Sequence, residues 1–171
     1  TGFFKEDFLD YLKDFHFTGD IYAIPEGTII FPKEPLVKVV APIMEAQLVE
    51  TALLNIINHQ SLIATKAARV VQEAGGGVME FGLRRAQGPD AGIYGARAAV
   101  IAGCIGTSNV LAGQMFDIPV NLSYDSDGAG TKAALRAIPI LKEAGITCKV
   151  INMKPHKDPD EFIKALGAEE Y

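Results

Sequence analysis

Four aspartates in the last third of the chain have a spacing that suits a metal ion. Asp125 and Asp127 follow the apolar run "VNLSY", and Asp158 and Asp160 come shortly after the apolar run "ITCKVINM". Carboxylates at the ends of neighbouring parallel strands meet at one edge of a sheet, and Mg²⁺ prefers hard oxygen ligands of this kind. In the alternative interpretation, Asp127 caps a helix that begins near Gly130, while Asp158 and Asp160 acidify the start of another helix. The repeated D-x-D pattern favours the magnesium cluster.

A second concentration of polar residues lies in "EFGLRRAQGPDAG", residues 80–92. Arg84 and Arg85 follow a predicted strand, where their guanidinium groups could donate paired hydrogen bonds to a phosphate or a carboxylate. Phe81 beside them in the sequence could stack on a flat ring. The alternative is a pair of exposed charges at a strand end with Phe81 in the core, and the spacing alone does not decide between the two.

The elements that must position these residues are of two kinds. A short amphipathic helix, a β-meander over residues 19–42 and a long helical pattern over residues 42–75 come first. From residue 78 onward, short apolar strands and helices alternate with glycine between them, which is typical of parallel βα units. The sequence therefore predicts an α/β fold in which a short β-meander or sandwich-like portion and long helices precede parallel βα units. Those units would form a partial barrel or an open sheet.

Composition excludes several classes of protein. The 171 residues suffice for one domain or slightly more, and the net charge of −5 argues against binding nucleic acid through a broad basic surface. The sequence has no apolar run of about 18 residues that could span a membrane, and the opening "TGFFKEDFLDYLKDF" does not resemble a signal peptide. Cys104 and Cys148 have neither a metal-site spacing nor a disulfide framework, so we expect two buried thiols in a reducing cytoplasm.

Residues 1–119 resemble the nicotinate phosphoribosyltransferase family. The resemblance is carried by "FTGDIYAIPEGTIIFP", "EAQLVETALLNIINHQSLIATKAAR", "MEFGLRRAQGPDAG" and "GTSNVLAGQMFDIPV". It implies synthesis of nicotinate mononucleotide from nicotinate and phosphoribosyl pyrophosphate, in NAD biosynthesis. It also implies an α/β sandwich joined to an irregular α/β barrel, with active sites at a dimer interface. In that family's site, Phe81 would stack on the pyridine ring, Arg84 and Arg85 would face its carboxylate or the ribose phosphate, and Ser108 would lie near the substrate.

Two differences from the family bear on catalysis. The family's opening segment of the type "TDLYQLTM", which supplies an aromatic side chain to the neighbouring site, has no counterpart in the sequence. After "IPV" this chain reads "NLSYDSDGAG", where the family has a histidine that accepts phosphate from ATP. His16, His59 and His156 do not occupy that position. We therefore assign no catalytic residue and expect no turnover by this chain as it stands. Whether it is an enzyme stays open, because it resembles a phosphoribosyltransferase and lacks parts of that family's site.

Residues 120–171 resemble a different family, the TOPRIM domain of bacterial DNA primase. The matching text is "LSYDSDGAGTKAALRAIPILKEAGITCKVINM" and "KDPDEFIKALG". The resemblance implies that Asp125, Asp127, Asp158 and Asp160 bind catalytic Mg²⁺. The glutamate-bearing strand that precedes these motifs in that family has no counterpart here, so primer synthesis is not expected.

The two resemblances together predict a chimera with three segments. These are a sandwich-like portion with a helical connector over residues 1–77, a partial α/β barrel over residues 78–119 and a TOPRIM-like βαβα fragment over residues 120–171. The chain is then a phosphoribosyltransferase-like fragment, a magnesium-binding module or a non-catalytic scaffold. Its origin by engineering, by gene fusion or by an error of sequence assembly stays open. Strand edges left unpaired in a partial barrel predict a homo-oligomer.

Overall fold

The computed structural model describes residues 2–122, 127–143, 145 and 153–167. The chain divides into two compact units, Thr1–Asn58 and His59–Tyr171. In chain order the elements are α1 (Glu6–Lys13), β1 (Asp20–Ala23), β2 (Val37–Val40), α2 (Ile43–Ala74), β3 (Met79–Glu80), a 3₁₀ turn (Leu83–Arg85), α3 (Pro89–Ile101), β4 (Gly106–Thr107), α4 (Val110–Phe116), α5 (Gly128–Glu143) and α6 (Pro159–Leu166).

The first unit contains α1 and a two-stranded antiparallel sheet. β1 and β2 pair with Asp20 opposite Val40, so the predicted β-meander is a single strand pair joined by a long loop. Pro25, Pro32 and Pro35 lie in that loop. Because proline has no backbone N–H to donate, these positions cannot extend the ladder of strand hydrogen bonds.

Glu45, in the first turn of α2, is a buried carboxylate with 8% of its surface exposed. It accepts a hydrogen bond from the backbone N–H of Thr18 at 2.7 Å and another from the Thr18 hydroxyl at 3.0 Å. A buried carboxylate needs donors of this kind to offset its loss of water. Of the 32 residues of α2, all of them described, Glu45 alone is buried, so this pair fixes the start of a largely exposed helix.

The second unit has a parallel strand pair at its centre. Met79 lies opposite Gly106 and Glu80 opposite Thr107, and α3 connects the two strands. After α4, Val120 forms a parallel bridge with Thr107 on the other side of β4. This order of strand, helix, strand, helix and strand confirms the α/β class that the alternation of patterns predicted.

Small side chains form the core of the second unit. Ile93, Ala96 and Ala112 are buried together, and Phe116 and Ile118 pack against them. With so few large side chains between them, α3 and α4 can approach the strands closely. The strand ends are therefore held against helices, and the loops that follow them start from fixed positions.

The last part of the described chain is helical. α5 contains Pro139, which removes one backbone hydrogen bond from the helix interior, and α6 follows the N-cap residue Asp158. Most of the two strands predicted near residues 120–124 and 146–153 lies outside the described residues. The exceptions are Val120, Asn121, Leu122 and Met153. No helix in the described ranges is long and apolar enough to cross a membrane.

Candidate functional site

The carboxyl ends of β3 and β4 bring two of the predicted site segments to one edge of the sheet. Glu80 and Thr107 are the last residues of these strands and lie opposite each other. Phe81 and Ser108 follow them directly, and the backbone N–H of Ser108 donates to the carbonyl oxygen of Glu80 at 3.0 Å. The segments that carry Phe81 and Ser108 are therefore adjacent, as segments after neighbouring parallel strands must be.

Phe81, Arg84 and Arg85 lie at the protein surface. Phe81 is 48% exposed, which excludes the interpretation that it is a core residue. Arg84 and Arg85 are exposed and belong to the 3₁₀ turn, in which the backbone N–H of Arg85 donates to the carbonyl of Gly82 at 2.8 Å. An exposed aromatic face and two guanidinium groups thus share one short segment after a strand, which suits a flat anionic ligand.

Glu80 links the two strand ends through its side chain as well as its backbone. Its Oε2 accepts a hydrogen bond from the hydroxyl of Thr107 at 2.6 Å, and its Oε1 accepts one from the backbone N–H of Gly82. Thr107 is fully buried, and its Oγ1 in turn accepts from the backbone N–H of Asn109 at 3.0 Å. Both loops at the sheet edge are therefore tied to one carboxylate.

Asn109 was not among the residues that the sequence analysis selected. Its Oδ1 accepts from the backbone N–H of Ala112 at 3.2 Å, which makes it the N-cap of α4. An asparagine directly before an apolar helical run is a recognisable capping signal. Its Nδ2 is buried and has no hydrogen-bond partner within the described part of the chain, and a buried donor without an acceptor costs about 1–3 kcal/mol.

Cys104 lies just before β4 and is buried, with 7% of its surface exposed. Burial raises the pKa of its thiol above the ordinary value, and the negative charge of Glu80 raises this pKa further. The expected buried thiol is thus observed for Cys104. Cys148 lies outside the described residues.

The four aspartates of the predicted magnesium cluster have separate local partners where they are described. Asp127 Oδ1 accepts from the backbone N–H of Gly130 at 2.7 Å, and Asp158 Oδ1 accepts from that of Glu161 at 2.9 Å. Asp160 pairs with Lys164 at 2.6 Å. Asp125 lies outside the described residues. The alternative interpretation predicted the cap at Asp127 and an acidic start to another helix; in α6 Asp158 is the N-cap and Asp160 lies in the first turn. No group of three potential ligands is assembled within the ranges that the structure covers.

A shallow depression of about 570 Å³ lies against Asp127. Its other lining residues are Lys154, Pro155, His156 and Lys157. The two lysines give this surface cationic character. In this depression Asp127 faces positive charge, which opposes the accumulation of a divalent cation.

Comparisons with known proteins find similarity to two different families. Residues 1–58 match the family model described as the nicotinate phosphoribosyltransferase (NAPRTase) N-terminal domain, and residues 96–163 match a model described as Toprim-like. A nicotinate phosphoribosyltransferase of Mycobacterium tuberculosis is 48% identical over 147 residues, covering 81% of this chain and 32% of that protein. The nicotinate phosphoribosyltransferase of Bacillus subtilis is 55% identical over 119 residues, covering 69% of this chain and 24% of that protein.

The structural comparison agrees with these relatives. The crystal structure of human nicotinic acid phosphoribosyltransferase superposes with a TM-score of 0.64 and 37% identity, over 74% of this chain and 26% of that one. The first part of the chain is therefore similar to nicotinate phosphoribosyltransferases in sequence and in fold. The chain spans about a third or less of the length of the relatives described here.

The two family similarities overlap in the sequence. The Toprim-like match begins at residue 96, inside the segment 78–119 that the sequence analysis assigned to a partial barrel. The match to the Mycobacterium protein covers 81% of the chain, which is more than residues 1–119. A junction at residue 120 therefore stays a prediction.

Proposed function

We propose that the edge of the sheet formed by β3 and β4 is the nicotinate-binding part of a nicotinate phosphoribosyltransferase-like fragment. The observation that carries this proposal is the exposed ring of Phe81 on the same turn-forming segment as Arg84 and Arg85, beside the strand end that precedes Ser108. The similarity of the chain to nicotinate phosphoribosyltransferases supports the choice of ligand.

The chemistry of each side chain suits this ligand. The face of Phe81 would stack on the pyridine ring, and the Arg84 guanidinium would form a charge-assisted pair with the nicotinate carboxylate. Arg85 is available for a phosphate of phosphoribosyl pyrophosphate, and the Ser108 hydroxyl would donate from the neighbouring strand end. We propose binding without turnover, because Asn121 follows Val120 at the point where the resemblance calls for a segment leading to a histidine.

Calorimetric titration with nicotinate and with nicotinamide tests the proposal. The two ligands share the ring and differ in the carboxylate, so we expect nicotinate to bind more tightly. Arg84→Ala should weaken nicotinate binding about tenfold or more, since a hydrogen bond to a charged group contributes about 1.5–3 kcal/mol. Arg84→Lys should recover part of the loss. Arg136→Ala, at an exposed position of α5, is the matched control and should bind like the unmodified chain.

Two results would contradict the nicotinate proposal. One is equal affinity for nicotinate and nicotinamide, which would show that the carboxylate is not recognised. The other is unchanged nicotinate affinity in both Arg84→Ala and Phe81→Leu. Either result would reject recognition of the nicotinate carboxylate by the arginine-bearing segment at this sheet edge.

Magnesium binding in the TOPRIM-like part is the second candidate function. The Toprim-like match over residues 96–163 supports it. The described aspartates do not assemble a three-ligand group, so such a site depends on Asp125 joining Asp127, Asp158 and Asp160.

A Mg²⁺ titration followed by amide NMR tests the second candidate. We expect chemical-shift changes confined to the segments that contain Asp125, Asp127, Asp158 and Asp160, and we expect Asp125→Asn to abolish them. Asp117→Asn is the matched control, because Asp117 is an exposed residue with φ of 53°, a conformation that asparagine also tolerates. Unchanged Mg²⁺ shifts in Asp125→Asn would reject the cluster.

The oligomeric state, the origin and the cellular location of the chain are further parts of the proposed function. We propose that the chain forms a homo-oligomer, because many large apolar side chains are exposed in the described residues. A chimeric origin is supported by matches of residues 1–58 and 96–163 to two different families. A location in the reducing cytoplasm is compatible with the free, buried thiol of Cys104.

A further inference from the structure

We infer that Glu80 is a positioning residue for the nicotinate site and that it acts through the buried hydroxyl of Thr107. This inference rests on the proposed nicotinate binding. It concerns side chains that are inferred to act without contacting the ligand. Glu80 holds the segment that contains Phe81 and leads into the 3₁₀ turn of Arg84, and Thr107 holds the neighbouring loop that carries Ser108.

The geometry of the carboxylate supports this role. Oε1 of Glu80 accepts from the backbone N–H of Gly82, the residue between Phe81 and the 3₁₀ turn. Oε2 accepts from the Thr107 hydroxyl at 2.6 Å. Since each oxygen is occupied by a protein donor, the carboxylate is engaged in holding two backbone segments together.

Thr107 extends the link to the second loop. Its side chain is fully buried, donates to Glu80 and accepts from the backbone N–H of Asn109 at 3.0 Å. A single hydroxyl therefore acts as donor on one side and acceptor on the other. Serine can make both hydrogen bonds, whereas valine has a similar shape and can make neither.

The negative charge of Glu80 lies near the proposed anion site, which favours a structural role for this carboxylate. A carboxylate close to a bound nicotinate carboxylate repels it, so it is unfavourable for binding unless it contributes something else. The hydrogen bonds to Gly82 and Thr107 orient the arginine-bearing turn before the ligand arrives. A loop that is already ordered loses less conformational freedom on binding.

Nicotinate affinity, measured by calorimetry on folded variants of the full chain, tests the inference. Thr107→Val should weaken nicotinate binding about tenfold, the equivalent of ~1.4 kcal/mol, while Thr107→Ser should stay within about twofold of the unmodified chain, because serine restores both hydrogen bonds. Glu80→Ala should resemble Thr107→Val. Thr51→Val, at an exposed position of α2, is the matched control and should not change the affinity.

A double-mutant cycle separates positioning from a general loss of stability. If Thr107 and Glu80 act by orienting Arg84 as well as Phe81 and Ser108, then Thr107→Val should weaken binding by a smaller factor in an Arg84→Ala background than in the unmodified chain. Additive effects of the two substitutions would overturn the inference. Glu80→Gln carries the test if Glu80→Ala does not fold: it keeps one acceptor for Gly82 and should weaken binding by a smaller factor, and unchanged affinity would overturn the inference.

The failure of the inference can be told apart from the failure of the proposed function. If the unmodified chain does not bind nicotinate, the proposed function is wrong and the positioning role falls with it. If the unmodified chain binds nicotinate, and Thr107→Val and Glu80→Ala bind it equally well, only the positioning role is wrong.

Discussion

At the scale of single residues, the carboxylate of Glu80 also influences the thiol of Cys104. Burial and then the charge of Glu80 raise the pKa of this thiol. We expect Cys104 to react slowly with iodoacetamide near neutral pH, because the thiolate is the reactive form. Glu80→Gln removes the charge and should lower the pKa, so alkylation at a given pH should become faster. The rate should be measured in a Cys148→Ser background, and equal rates with and without the charge would contradict this assignment.

The same shift has a consequence for stability against pH. The thiol pKa is raised in the folded state, so between the unfolded pKa, about 8.5, and the folded pKa, the unfolded chain has lost a proton that the folded chain keeps. The stabilising contribution is therefore complete below the unfolded pKa and is lost as pH rises towards the folded pKa. Urea denaturation of the unmodified chain and of Cys104→Ala across this range should give curves that converge at alkaline pH. Parallel curves would exclude the linkage.

The N-cap Asn109 combines one favourable and one unfavourable group. Its Oδ1 caps α4, while its buried Nδ2 lacks a partner in the described part of the structure. Asn109→Ser keeps a capping oxygen and removes the unpaired donor, so we expect it to be at least as stable as the unmodified chain. Asn109→Ala also loses the cap and should be about 1 kcal/mol less stable than Asn109→Ser. Equal free energies of unfolding in urea for the two variants would contradict the capping role.

The sequence predicted the environment of a residue where that environment is set by its near neighbours in the chain. The cap at Asp127 was predicted as an alternative, because aspartate before a helix start has a preferred local hydrogen bond. For Asp158 only a place at an acidic helix start was predicted, and the structure makes it the N-cap of α6. The exposure of Phe81 was not decided, because it depends on the 3₁₀ turn that follows. The link from Glu80 to Thr107 joins residues 27 positions apart, and spacing in the sequence gives no information on such a contact.

At the scale of elements, Gly106 shows why β4 can lie so close to the next strand. A Cβ built at this position would be 2.6 Å from Asn121 Nδ2 and 2.8 Å from the carbonyl oxygen of Pro119. Gly106→Ala must therefore displace backbone, and we expect it to lower the free energy of unfolding by about 1–3 kcal/mol. Gly128→Ala is the matched control: a Cβ there meets nothing within 4 Å in the first turn of α5, so its stability should be unchanged or higher.

The order of elements was predictable, and their lengths were less so. Alternating apolar strands and helices correctly indicated a parallel arrangement of β3, β4 and Val120. The strand predicted before Arg84 is only two residues long, Met79–Glu80, and Leu83–Arg85 forms a 3₁₀ turn. Apolar alternation does not show that the chain leaves the sheet after Glu80, where the Glu80 carboxylate accepts a hydrogen bond from the backbone N–H of Gly82.

At the scale of the whole molecule, α2 explains why the division into units was hard to place from sequence. The boundary between the two compact units lies between residues 58 and 59 of the chain. This position is within α2, which runs from Ile43 to Ala74. The helical pattern continues across this boundary, because the helix does not end there and the sequence has no proline or glycine to mark it. The predicted boundary after residue 77 was drawn at a change of pattern, and the one after residue 119 was drawn where one family resemblance gives way to the other. Both remain predictions.

Exposed apolar side chains on α2 lead to the prediction for assembly. Leu62 is 70% exposed and Val70 is 48% exposed in the part of this helix that belongs to the second unit, and exposed apolar surface of this kind favours association. We expect the chain to sediment as a dimer or larger species at micromolar concentration. Leu62→Glu places a charge on that surface and should shift the distribution towards the monomer. Gln72→Glu adds the same charge at an exposed polar position of the same helix and should not. A monomer in the unmodified chain would show that its apolar surface is tolerated in water, and equal shifts in both variants would show that net charge, not the apolar contact, controls assembly.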